Sequence, residues 1–196
     1  AVVEKLDGGY EVIFVNDGSK DGSDIVLSEL ADENENVRVI NLRRNFGQTA
    51  ALMAGIAVNQ GEVIVTMDGD MQNDPADIPR LLDKMEEGFE VVSGWRKDRE
   101  DNRVLRILPS VIANRLISKI FGVHLHDYGC TLKAYGSDVI RNVRLYGEMH
   151  RYIPIYASWE GARVAELPVA HHARRHGKSK YGLGRIFRVF LDVILL

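Results

Sequence analysis

Two apolar runs in this chain break off in the same way. Glu11-Val12-Ile13-Phe14-Val15 stops at Asn16-Asp17-Gly18-Ser19, and Val63-Ile64-Val65-Thr66-Met67 stops at Asp68-Gly69-Asp70. Short runs rich in β-branched residues and ended by Gly, Asn and Asp read as buried strands. Helical stretches separate them. One is expected from about Ser23 to Asn34, with Ser23 as its N-cap, and another from Gln48 to Asn59, closed near Gly61. A third enters through Asp74-Pro75, since proline suits a first turn. Val37-Arg38-Val39-Ile40 and Glu90-Val91-Val92-Ser93-Gly94 supply two more strands. This alternation predicts an α/β fold, a mostly parallel central sheet flanked by helices.

With 196 residues, 45% of them apolar, the chain is long enough for one well-buried core and short for two, so residues 1–196 are read as a single domain. Cys130 is the only cysteine, which excludes an internal disulfide and makes a cytosolic setting the default. No run of about 18 apolar residues is present. The net charge of −3 conceals a split: residues 1–95 hold 7 Lys/Arg against 19 Asp/Glu, and residues 96–196 hold 18 against 9. The second half is therefore expected to face something anionic, whether a phosphorylated substrate, a phospholipid surface or nucleic acid.

Between Arg103 and Phe121, Leu105, Leu108, Ile112, Leu116 and Ile120 recur three or four apart, flanked by Arg99, Arg103, Arg106, Arg115 and Lys119. That spacing fits a helix at a membrane interface and equally a core-facing helix with a solvated back. The final residues 186–196 become increasingly apolar, as a lead-in to a membrane segment would.

In an open parallel sheet, ligands bind beyond the carboxyl ends of the strands, so the two acidic loops are expected to share a crevice. Asp68 and Asp70 flank one glycine, Gly69, which would let the backbone turn and aim both carboxylates at one point. Paired hard oxygens suit Mg²⁺ or Mn²⁺, which can bridge a nucleotide diphosphate, and Gln72 could add a neutral oxygen. A bare Asp-x-Asp is also a common loop; its place after an apolar strand, paired with a second acidic strand end, is what singles it out. Other nucleotide motifs fail. Gly177-Lys178-Ser179 resembles the tail of a phosphate loop, but His172 stands where the first glycine is required, and no G-x-G-x-x-G follows the first strand. His124, His126, His171, His172 and His176 lack partner cysteines and read as loop histidines rather than zinc ligands. The basic segment 174–180 could close over phosphate oxygens, whereas a base-stacking nucleic-acid patch would need more aromatic neighbours than Tyr181.

The series VNDGSKDGS, MDGDMQNDP, SGWR, HDYGCTLKAYG and RRHGKSKYG, in that order, resembles family 2 glycosyltransferases. More narrowly it is similar to the polyprenyl-phosphate glycosyltransferases, which include dolichol-phosphate mannose synthases and bacterial undecaprenyl-phosphate glucosyltransferases. The resemblance implies a GT-A fold, inversion at the anomeric carbon and a divalent cation, Mg²⁺ or Mn²⁺. By position it implies that Asp17 contacts the nucleotide base, that Asp68, Gly69 and Asp70 bind the donor, and that Asp68, Asp70 and Gln72 hold the metal. Arg174, Ser179 and Lys180 would belong to a loop closing over the donor; Arg96, Arg106, Ser110 and Lys133 would bind the acceptor phosphate, Lys133 and Asp127 lying in the acceptor-side motif. Family members also begin with a strand and a Pro-x-Tyr-Asn-Glu motif that lie before this sequence, and many continue into transmembrane helices. A glutamate is common in the family near 147–157, where Glu148 is the acid present.

The expected reaction moves a hexose from a nucleotide sugar, of the UDP-glucose type, to a polyprenyl phosphate at the cytoplasmic membrane face. Asp70 and Asp127 are the candidate catalytic residues. A sugar-phosphate nucleotidyltransferase and a non-catalytic basic adaptor for membrane or nucleic acid are the competing classes. Nucleic acid is not expected as a partner, and oligomerisation stays open.

Overall fold

The computed structural model describes residues 2–6, 8–97, 114–115, 117–141 and 143–173. The expectations for Arg106, Ser110, Arg174, Ser179, Lys180, most of the basic helix and the apolar end lie outside these residues. Chain order runs β1 (Val12–Asn16), α1 (Ser23–Glu33), β2 (Val37–Asn41), α2 (Gln48–Val58), β3 (Val63–Thr66), α3 (Ile78–Glu86), β4 (Val91–Trp95), β5 (Lys133–Gly136), α4 (Ser137–Arg141), α5 (Ile153–Trp159) and β6 (Val164–Pro168). Each of the four strands expected from apolar runs forms within a residue or two of its expected position.

β1 and β2 pair in parallel, and a second sheet has the order β3-β5-β4-β6. β3, β4 and β6 share one direction, while β5 runs antiparallel between β3 and β4. The sheet is thus mostly parallel, with one reversed strand drawn from far down the chain. Helix α2 lies against both sheets: its Gly55 approaches Val15 of β1, and its Ile56 packs with Tyr135 of β5.

β4 is buried on both faces from Val91 to Gly94, Ser93 included. Alternation then sends its neighbours into different clusters. Val91 packs with Tyr135, Ile140 and Ile153, and Val92 with Ile78, Leu81, Leu132 and Ala134. A third cluster joins Ile117, Val123, Leu125, Tyr128, Tyr152 and Ile155. Of the expected apolar stripe only Ile120 lies among the described residues; it is 57% exposed, whereas Ile117, outside the stripe, is 5% exposed.

Two helix starts show local chemistry at work. Asp74 caps the turn Pro75–Asp77 by accepting from the Ala76 N–H at 2.9 Å, as the Asp-Pro pair predicts. Ser23, by contrast, is not the N-cap of α1. Gly22 takes that place with φ +84°, and Ser23 instead donates its N–H and hydroxyl to Asp21 at 3.2 and 2.6 Å.

Asn16, buried at the end of β1, donates to Asn41 at 2.9 Å across the parallel pair and accepts from the Ser19 N–H at 2.9 Å. Gly18 follows with φ +71°, and a Cβ there would sit 2.5 Å from the Arg44 carbonyl carbon. Two backbones pass each other at that point. Gly18→Ala should therefore cost about 2–3 kcal/mol from left-handed strain and forced separation of the loops. For a chain of this size that is a fall in Tm of roughly 5–10 °C, readable by thermal denaturation.

Candidate active site

The site is assembled by strand direction. β1, β3 and β4 deliver their carboxyl ends to the acidic loops and to Arg96, while antiparallel β5 begins where they end. The pairing Thr66↔Lys133↔Ser93 sets the loop 127–132 over the tips of β3 and β4. Thr66 stitches it down by donating to the Thr131 carbonyl at 2.7 Å.

Asp68 and Asp70 lie close enough for the charge of one to act on the other. Burial first, and the Asp70 charge second, raise the Asp68 carboxyl above the usual carboxylate range, against the opposing influence of Thr131, Arg96 and Arg151. Gln48, at the start of α2, donates to Asp68 Oδ1 at 2.7 Å and fixes its direction. Asp70 accepts from the Gln72 N–H at 3.2 Å. Between them the sharp turn falls at Met71, whose φ of +62° is left-handed for a residue with a side chain. Gly69 was expected to supply that turn, and it does not: its φ is ordinary, and a Cβ there would meet nothing within 4 Å. Its backbone is exposed. Gln72 exchanges contacts with His172, whose N–H reaches the Gln72 carbonyl at 2.8 Å while the Gln72 amide reaches the His172 carbonyl at 3.3 Å.

Asp17 stands at the end of β1, where its two oxygens accept from the Phe46 and Gly47 N–H groups at 2.7 and 2.9 Å. It ties β1 to the loop that starts α2. On the other flank, Arg96 grips Asp127 through two parallel bonds, Nε to Oδ2 at 2.7 Å and Nη2 to Oδ1 at 3.0 Å. Asp127, 5% exposed, also accepts from the Gly129 N–H at 3.0 Å. Bidentate geometry of this kind fixes a guanidinium in a plane. Glu166 of β6 holds the same loop by accepting the N–H groups of His126 and Asp127, each at about 3 Å.

Lys133 is brought to this cluster but is not at its surface. Only 2% exposed, it donates to the Tyr128 carbonyl at 3.0 Å and lies 3.5 Å from that of Arg151. Burial lowers its ammonium pKa to about 8, with Cys130 and Asp127 pulling the other way. The geometry makes it an internal brace rather than a direct phosphate contact. Cys130 is core, its thiol pKa raised by burial. Glu148 forms an ion pair with Arg151 at 3.6 Å. Arg151 is the residue that reading the sequence passed over, a lone cation within Gly147–Ala157.

Among the described residues no three His, Cys, Asp or Glu side chains form a metal cage. Two neighbouring carboxylates are nonetheless the donor set that suits Mg²⁺ or Mn²⁺, which keep waters and take substrate phosphates as further ligands.

Strand order, helices and an acidic loop at the strand ends define a GT-A fold, and solved structures agree. The crystal structure of glucosyl-3-phosphoglycerate synthase from Mycobacterium tuberculosis, in complex with Mn²⁺, uridine diphosphate and glucosyl-3-phosphoglycerate, superposes with a TM-score of 0.66 over 98% of this chain and 69% of that one, at 19% identity. Glycosyl transferase family 2 matches residues 1–144, and the chain belongs to that family. It is 48% identical, over 94% of its length, to dodecaprenyl-phosphate galacturonate synthase of Rhizobium johnstonii. It is 38% identical, over 99%, to undecaprenyl-phosphate 4-deoxy-4-formamido-L-arabinose transferase of Aeromonas hydrophila. The chain spans 56% and 60% of those two relatives.

An isosteric Asp68→Asn substitution separates stability from cation binding. A carboxyl whose pKa is raised by folding weakens the cation-free protein as pH climbs from about 4, the ordinary carboxylate value, through the raised one, and the penalty is complete above it. In a chelator at pH 7, Asp68→Asn should therefore melt above the parent protein, whereas Mn²⁺ should stabilise the parent and leave the variant unmoved. Thermal melts across pH, with and without Mn²⁺, read both effects.

Proposed function

We propose that this chain transfers a sugar from a nucleotide sugar to a polyprenyl phosphate at the cytoplasmic face of a membrane, with residues 1–196 acting as one catalytic domain. The observation that carries the reading is the neighbouring pair Asp68 and Asp70 across from the Arg96–Asp127 fork, at one end of one sheet. The names of the two relatives, both sugar transferases of a polyprenyl phosphate, support the acceptor class.

In this reading Asp68 and Asp70, with Gln72, hold a divalent cation, which would neutralise charge on the departing nucleotide diphosphate. A phosphate oxygen of the acceptor attacks the anomeric carbon, the bond from that carbon to the diphosphate breaks, and configuration inverts. The second pKa of a phosphate monoester is near 6, so the nucleophile is already ionised at neutral pH and needs no strong base. Asp127 then serves by orienting Arg96, its oxygens being already committed to that guanidinium and to the Gly129 N–H. Asp17 supports the donor side, either at the base or through the loop it secures. Among the described residues no helix is long and apolar enough to cross a membrane.

The donor is proposed to be a UDP-sugar. Glucose has no special standing, because the named relatives carry galacturonate and a formamido-arabinose. Radiolabel should pass from one member of a panel containing UDP-galacturonate, UDP-glucose, UDP-N-acetylglucosamine and GDP-mannose to short-chain polyprenyl phosphate, and appear in the organic extract. Label recovered as nucleotide sugar from sugar phosphate and nucleoside triphosphate would instead identify a nucleotidyltransferase. Asp70→Asn should lower transfer about 100-fold or more at unchanged Tm, the scale of losing several kcal/mol of leaving-group stabilisation.

A further inference from the structure

α2 opens with three consecutive residues, each tied to a different loop around the site. The N–H of its cap, Gly47, is held by Asp17 at the end of β1 at 2.9 Å. Gln48, half-buried, donates its amide to Asp68 Oδ1 at 2.7 Å. Thr49, buried, gives its hydroxyl proton to the Gly147 carbonyl and stands 2.7 Å from His150 Nδ1. A hydroxyl has one proton and a carbonyl has none to offer, so His150 must donate its own Nδ1–H to Thr49. The backbone is therefore pinned on both sides of Gln48, by the end of β1 on one and by Gly147 and His150 on the other.

Asp68 is the carboxylate that needs such a partner, being buried beside the charge of Asp70. Repulsion turns two neighbouring carboxylates apart, whereas a shared cation requires both to face it. A carboxylate only accepts, so the Gln48 amide must face it through an N–H, and one N–H takes one of about four lone-pair sites. The others stay available to a metal. A side chain arriving from a fixed backbone can thus hold Asp68 in place against Asp70 without displacing a cation. We infer that Gln48 is a positioning residue that sets the direction of Asp68 and, through it, the affinity of the acidic pair for a divalent cation. This deepens the proposed function and rests on its assignment of Asp68 and Asp70 to the cation, but not on which sugar or acceptor is used.

Two variants test it. Gln48→Met keeps the length and removes the N–H, and Gln48→Asn keeps the N–H on a stem one methylene shorter. Titration of the chain with Mn²⁺, with and without UDP, followed by the electron paramagnetic resonance signal of the free ion, reads affinity directly. Gln48→Met should bind Mn²⁺ about tenfold or more weakly, with Gln48→Asn in between, the scale set by groups that orient a metal ligand. Hydrogen exchange at the Phe46 and Gly47 amides, which Asp17 holds, should stay within about twofold of the parent, where a general loosening of the loops would raise it. In transfer assays the loss should appear as a higher KM for Mn²⁺ and be recovered to within about threefold of the parent at saturating Mn²⁺. Mn²⁺ binding by Gln48→Met that equals the parent's would overturn the inference, and tighter binding would do so by showing that the amide competes with the cation. Weaker binding accompanied by fast exchange at Phe46 and Gly47 would also overturn it, since Gln48 would then be supporting the loops rather than Asp68. If Gln48→Met lacks a cooperative melt, Gln48→Ala and Gln48→Asn are judged by the same readouts. Mn²⁺ bound more tightly by the parent than by Gln48→Met, with no sugar transferred by the parent, would keep the role of Gln48 and sink the transfer reading. Transfer by the parent, with Mn²⁺ bound equally by the variants, would do the reverse. A parent that binds no Mn²⁺ with or without UDP would remove the cation site and the role of Gln48 together.

Discussion

Everything at this site depends on one strand running the wrong way. β5 enters between β3 and β4 antiparallel to both, so its start, not its end, lies beside their carboxyl ends. A parallel strand in that position would send the segment 127–132 to the far edge of the sheet. Reversal places Asp127, Gly129 and Thr131 over the tips of β3 and β4, within reach of Arg96 and of the acidic loop. The register is held by backbone pairing and by the Thr66 hydroxyl on the Thr131 carbonyl, and the packing of Tyr135 and Leu132 into two separate clusters resists any slip.

Charge at the site is arranged in two opposed groups. Asp68 and Asp70 sit together despite repulsion and burial, and Arg96, Arg151 and Lys133 sit behind them, also partly or wholly buried. Neither group would be comfortable alone. Asp127 and Glu148 turn the arginines, carbonyls enclose the lysine ammonium, and the arginines in turn ease the ionisation of Asp68. Strain is concentrated in the same place, at the left-handed Met71. Such features cost stability in the free protein, and they make sense where a cation and phosphates complete the balance.

The strands β1 to β4 were legible because each is an apolar run bounded by turn residues, a signal that depends on a few neighbouring positions. β5 and β6 were not. Lys133-Ala134-Tyr135-Gly136 and Val164-Ala165-Glu166-Leu167-Pro168 carry a charge amid the strand and no clean alternation; they become strands because β3 and β4 offer them edges. The acidic pair was visible from spacing alone, yet the glycine between it was credited with a turn that Met71 makes. Asp17 was visible as a strand-end acid, but its grip on Phe46 and Gly47 belongs to a loop 29 and 30 residues away. Arg151 gave no signal, being a single cation in an apolar stretch.

The amino-acid order alone determined that β1 to β4 and the helices between them would form, that two acidic loops would end two of those strands, and that the second half would be basic. Those are consequences of hydrophobic patterning and turn chemistry, which act between residues close in the chain. The tertiary structure alone decided that β5 would be reversed, that Lys133 would be sealed inside, and that Arg96 and Arg151 would meet over Gly129. Residues 96, 129 and 151 share no local pattern; they converge because sheet pairing and core burial leave one place for each, and that choice is made by the whole molecule at once.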